Sequence, residues 1–205
     1  MQNLKNKLQT IPEVEFLENR FMFIKNEVLR TNISISFQYV IFLITIEEEI
    51  TLQGPVSYSI FKNIILNTAA IVEGSLHYLL DTLIKRDEIN SENIFPKVDV
   101  YSNKKVLYRT EDGIQICGIH IENKPSKLKS GTSFSDINRA CKRAKIFDNE
   151  LFEEIEELRE KRNKIHLAGL KKADDFYEQK DIQQAFITAS RVLTLIENRL
   201  EEHDR

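Results

Sequence analysis

Apolar residues recur at threes and fours over most of this chain, the period of amphipathic helices. After Pro12, the residues Val14, Leu17, Phe21, Ile24 and Val28 predict one helix of about five turns. From Ile60 to Lys85, Ile60, Ile64, Ile65, Ala69, Val72, Leu76, Leu79, Leu80 and Leu83 mark a long core helix. Gly74 inside it costs about 1 kcal/mol against Ala, so it marks a candidate close helix crossing. Gly54-Pro55 breaks the chain just before, and Ser57 is a candidate cap. Ser133 or Ser135 suits the start of a helix through Lys145, and Asp148 opens another over 149–167, with Gly169 as its stop. Ile182, Ala185, Phe186, Ala189, Val192, Leu193 and Ile196 predict a last helix over 181–200.

Two stretches break this rhythm. Ile33 to Leu43 alternates like a strand in its first half and is solidly apolar in its second, so local pattern leaves strand and buried helix open. Residues 86–97 form a polar connection ending in Phe95-Pro96. Val106–Thr110 and Ile114–Ile121 then flank Glu111-Asp112-Gly113, which predicts a β-hairpin around 105–121 within an insertion spanning 98–123. The expected plan is a single domain over 1–205, an all-α antiparallel bundle with a small inserted hairpin.

Composition narrows the function classes. With Lys+Arg 29 against Asp+Glu 32, the net charge of −3 gives no global pull toward nucleic acid, so any such contact needs a local basic face. Cys117 and Cys141 have no paired spacing and read as reduced thiols of a cytoplasmic protein. The N-terminus lacks the pattern of a signal peptide. The most apolar run, Ile33 to Ile46, carries Ser34, Ser36 and Gln38 and falls short of the about 20 residues a bilayer requires. No membrane contact is expected. Metal-binding, nucleotide-hydrolase and dinucleotide motifs are missing from the sequence, so neither metal nor cofactor is expected.

One segment gathers chemistry. Arg159, Arg162, Asn163 and His166 stand at i, i+3, i+4 and i+7, which places all four on one stripe of a helix. Leu151, Ile155, Leu158 and Ile165 form the opposing apolar side. Two guanidiniums, an amide and an imidazole suit phosphodiester cleavage, with no obvious neutralising acid among them. Histidine can transfer a proton near neutral pH, and arginine holds phosphate oxygens as charge builds. A plainer reading stands beside this one. Bases near a helix C-terminus are favoured by the macrodipole, and Glu153, Glu154, Glu156 and Glu157 are spaced to pair with them.

The segments Ser133-Phe134-Ser135-Asp136-Ile137 and Leu158 to Leu167 resemble the C-terminal half of HEPN domains, helical modules of prokaryotic toxins, abortive-infection proteins and RNA-guided ribonucleases. The family signature is an Arg, often followed by a polar residue, then four to six residues, then His. Arg159 leaves six residues before His166, and Arg162-Asn163 supplies the Arg-Asn pair at a shorter distance. Asn67 to Glu73 is similar to the long helix that precedes the motif. That likeness favours helix for Ile33 to Ile46.

The resemblance implies a HEPN-like fold and an endoribonuclease that leaves 2′,3′-cyclic phosphate ends. His166 would transfer protons, Arg159 or Arg162 would stabilise the phosphorane and Asn163 would position the substrate. It implies a homodimer with a composite site, acting as a toxin or antiphage effector beside a cognate antitoxin or defence partner. The alternative is a non-catalytic interaction or dimerisation module, or an antitoxin-like partner. Arg139, Lys142, Arg143, Lys161, Lys164, Lys171 and Lys172 are the candidate RNA-backbone contacts, with a solvated helix face as the equal alternative. His77 reads as a hydrogen-bonded interior or interface residue, and His120 and His203 as surface residues.

Overall fold

A computed structural model describes residues 2–50, 54–164 and 177–201 of the chain. Eight α-helices and one antiparallel hairpin occur among them: α1 Gln2–Leu8, α2 Val14–Glu18, α3 Glu27–Glu49, α4 Pro55–Lys85, α5 Ser91–Ile94, β1 Lys97–Arg109, β2 Gln115–Pro125, α6 Phe134–Arg143, α7 Asn149–Asn163 and α8 Gln179–Glu201. This is the expected mainly helical plan with its inserted hairpin.

The centre of the bundle is α4, which packs against α3, α6, α7 and α8. Ile64, Ile65, Ala69, Val72, Leu76, Leu79, Leu80 and Leu83 are buried along it, the stripe that the spacing predicts. The capping residue differs from the expected Ser57. Gly54, at φ 62°, caps the helix and Pro55 takes its first position, where a missing N–H costs nothing. A Cβ on Gly74 would stand 3.6 Å from Leu29 Cδ1 and 4.0 Å from Ile33 Cδ1, which marks the close crossing of α3 over α4.

The ambiguous stretch at Ile33 is helix, inside α3. By length and composition α3 could cross a membrane, with a mean hydropathy of 1.3 over its most apolar window. Ile33, Ser34, Val40 and Leu43 are nevertheless buried on the bundle, and Gln38 donates to the Pro12 carbonyl. The single five-turn helix expected over 14–28 is broken in two. A 3₁₀ turn at Asn19–Phe21 follows α2, and Asn26 then accepts from the Leu29 N–H to cap α3. The break lets Phe21, Phe23 and Ile24 all turn inward, whereas Val28 passes to α3 and stays exposed. Residues 86–97 are also more structured than expected, because Asn90 caps the short helix α5 and buries Ile94 and Phe95.

The hairpin is longer than the expected 105–121. Its pairing runs from Lys97 opposite Pro125 to Arg109 opposite Gln115, with two register shifts in β1. Gly113 closes the turn at φ 88°, where its N–H donates to the Thr110 carbonyl. Cys141 is buried on α6 and Cys117 is half-buried on β2; both are free thiols, and burial pushes the Cys141 thiol well up.

Candidate functional site

Asp148 builds the motif helix as the sequence predicts, its carboxylate accepting the Leu151 N–H at 2.8 Å to cap α7. Leu151, Ile155 and Leu158 are buried and fix which side of α7 faces outward. The described helix ends at Asn163 with Lys164 as its C-cap, where the 149–167 expectation ran to Leu167. Lys161 and Arg162 occupy this last turn, as the macrodipole favours. His166, Lys171, Lys172 and the expected stop Gly169 lie outside the described residues.

The two arginines are not free of acids, and here the structure corrects the sequence reading. Arg159 Nε donates to Glu156 Oε2 at 2.8 Å, the i, i+3 pairing that the glutamate run makes available. Glu156 is itself held from α6, because Asn138 Nδ2 donates to Glu156 Oε1 at 2.7 Å and to the Phe152 carbonyl at 3.2 Å. Asn138 is fully buried and its Oδ1 has no partner. Both groups facing its other atom are acceptors, so the amide cannot be turned round.

Arg162 reaches a different helix. Its Nη2 donates to Glu73 Oε2 on α4 at 2.9 Å, with a third of the arginine side chain still exposed (34%). Glu73 belongs to the segment singled out as similar to the helix before the motif, yet its contact with Arg162 was missed. Sequence offered one clue: Glu73 lies one position from Val72, so it sits at the edge of the buried stripe of α4. Lys161 pairs with Asp181 on α8 at 2.9 Å, and the Tyr177 hydroxyl donates to the Lys161 carbonyl. Asn163 and Lys164 are exposed.

Burial pushes the Asp181 carboxyl up, but the Glu178 N–H and the Lys161 ammonium outweigh it and hold the group below the usual carboxylate range. The expected RNA-contact residues of α6 point to separate partners. Lys142 lies 3.9 Å from the Phe152 ring centre, Arg143 donates to the Ile94 carbonyl at 2.9 Å, and Arg139 is exposed. His77 is half-buried and hydrogen-bonded to the Lys129 carbonyl at 2.9 Å.

A cleft of about 620 Å³ opens elsewhere, between the turn after α6 and α8, floored by Phe147, Leu151 and Leu195. Arg191 and Arg199 on its wall are paired with Glu154 and Glu88, and neither Arg159, Arg162 nor Asn163 lines it. Among the described residues no group of three His, Cys, Asp or Glu side chains is arranged to hold a metal ion. No protein-family model, curated protein or solved structure matches this chain.

Proposed function

We propose that this chain is a HEPN-like endoribonuclease, cytoplasmic and dimeric, that cuts RNA without a metal as a toxin or antiphage effector. The observation that supports it best is the C-terminal end of α7. There Arg159, Arg162 and Asn163 stand within five consecutive residues on a helix anchored to α4, α6 and α8, immediately before His166 in the chain. In this scheme the ribose 2′-oxygen attacks the adjacent phosphorus and loses its proton to a base. The 5′-oxygen leaves with a proton from an acid, and the products are a 2′,3′-cyclic phosphate and a 5′-hydroxyl. His166 exchanges the proton, and the guanidiniums offset charge on the phosphorane. Asn163 positions the substrate, and a second copy supplies a second imidazole for the other proton transfer.

The carboxylates closed on both arginines favour a second reading, in which these cations only fasten α7 to its neighbours and the domain is a binding or dimerisation module. End-labelled RNA incubated with the purified chain in EDTA separates the two. The ribonuclease reading expects cyclic-phosphate ends from the wild type and loss of at least about 100-fold in His166→Ala. RNA left intact by the wild type at high protein concentration overturns it.

A further inference from the structure

Cations occur both with and without carboxylate partners, and Arg139 and Lys164 of the helical body are exposed with no ion pair among the described residues. In the helical body Arg159, Arg162, Lys161, Arg191 and Arg199 each meet a carboxylate. On the hairpin, Lys104, Lys105 and Arg109 are exposed and form no ion pair among the described residues. No Asp or Glu lies between Tyr101 and Arg109. The nearest acids sit at either end: Asp99 takes a hydrogen bond from Asn123, Glu122 faces Lys124 and His120, and Glu111 and Asp112 form the turn.

Two aromatic rings stand among these free cations. Tyr101 is 64% exposed and Tyr108 59%, and neither hydroxyl has a partner among the described residues. The register sets them on opposite faces. Tyr101 lies opposite Ile121 and Tyr108 opposite Ile116, partners an odd number of residues apart on β2, so the two rings alternate to opposite faces. Among the described residues the sheet has two strands, so the outer edge of β1 pairs with no further strand there. Side chains from both faces therefore border that edge over roughly 20 Å between positions 101 and 109.

We infer that the distal half of β1 is a binding edge for single-stranded RNA, with Tyr101 and Tyr108 stacking on bases and Lys104, Lys105 and Arg109 holding phosphates. Every base offers a π-face, so two exposed rings grip a strand without reading its sequence, and nearby cations neutralise the backbone. An added protein strand is the poorer fit, because lysines on an open edge oppose β-pairing with another chain. The identity of the polymer rests on the proposed function; the edge would add to its affinity through cations that meet no carboxylate among the described residues.

The test is binding of a fluorescein-labelled single-stranded 2′-O-methyl RNA, which has no 2′-hydroxyl to react, measured by anisotropy over a range of salt. Replacing both tyrosines, Tyr101→Ala with Tyr108→Ala, is expected to weaken binding at least about tenfold. Tyr101→Phe with Tyr108→Phe keeps the rings and the affinity, which separates stacking from damage to the hairpin. Lys104→Ala, Lys105→Ala and Arg109→Ala together flatten the log–log salt dependence by about two.

The inference is overturned if the wild type leaves this RNA free, if the alanine and phenylalanine pairs bind alike, or if the triple variant keeps the slope. Unchanged RNA binding with lost self-association would make the edge a protein contact instead. Cleavage of ordinary RNA is scored in parallel. Binding through the edge without cleavage removes the ribonuclease reading alone, and cleavage by a chain whose edge variants bind normally removes this inference alone.

Discussion

Arg162 on α7 donates to Glu73 on α4 across 2.9 Å, although the two residues are 89 positions apart in the chain. The contact fixes the last turn of the motif helix against the most buried helix of the bundle. It also leaves the arginine side chain partly exposed. A partly exposed pair of this kind contributes less than a buried one, because water screens it and two long side chains lose freedom.

A double-mutant cycle should therefore give a coupling of about 0.5–1 kcal/mol between Arg162→Ala and Glu73→Gln in urea unfolding. Cleavage separates structure from chemistry. If Arg162 stabilises the phosphorane, Arg162→Ala loses at least about tenfold in kcat/KM beyond what Glu73→Gln loses. Equal losses in both variants would reduce Arg162 to a fastener.

Asn138 is the buried polar group on which Arg159 indirectly depends. Its amide nitrogen meets Glu156 Oε1 and the Phe152 carbonyl, and Glu156 in turn holds Arg159. Asn138→Ala leaves a void and two acceptors without their donor, so it should cost about 2–3 kcal/mol in chemical denaturation. Glu156→Gln keeps the shape and removes the charge, and it should cost less. A loss below about 0.5 kcal/mol in Asn138→Ala would mean that water replaces the amide.

How much of this was legible in the sequence depended on whether a feature was periodic or relational. The buried stripe of α4, the Asp148 cap and the Asp-Gly turn are local patterns, and the structure has them where spacing and turn chemistry put them. The break after Glu18 was hidden because Phe21, Ile24 and Val28 keep helical spacing straight through it. Only the Asn26 cap betrays the new start, and asparagine occurs in many places that are not caps. Helical spacing sets Arg159 and Arg162 one turn apart on α7, but it does not reveal their partners. Glu156 was within local reach, whereas Glu73 and Asn138 come from other helices. The hairpin is legible from its turn, but that Lys104, Lys105 and Arg109 meet no carboxylate among the described residues depends on the tertiary structure.

Asp181 offers a test through pH. It joins α8 to α7 by accepting from Lys161 at 2.9 Å, and its other oxygen accepts from the Glu178 N–H at 2.9 Å. Burial opposes ionisation of this carboxyl, but the N–H and the ammonium prevail and its pKa is lowered. A carboxyl with a lowered folded pKa contributes stability that is present above its unfolded pKa, about 3.9, and is lost as pH falls through the folded value. At pH 7 Asp181→Asn should therefore be less stable than the wild type by about 0.5–1 kcal/mol. The difference should hold down to about pH 5 and then shrink on further acidification as the wild-type carboxylate takes up its proton. Urea unfolding of both chains at matched pH values checks this. A gap that stays constant to pH 2 would place the cost of the substitution in packing at the start of α8, not in the charge that ties it to Lys161.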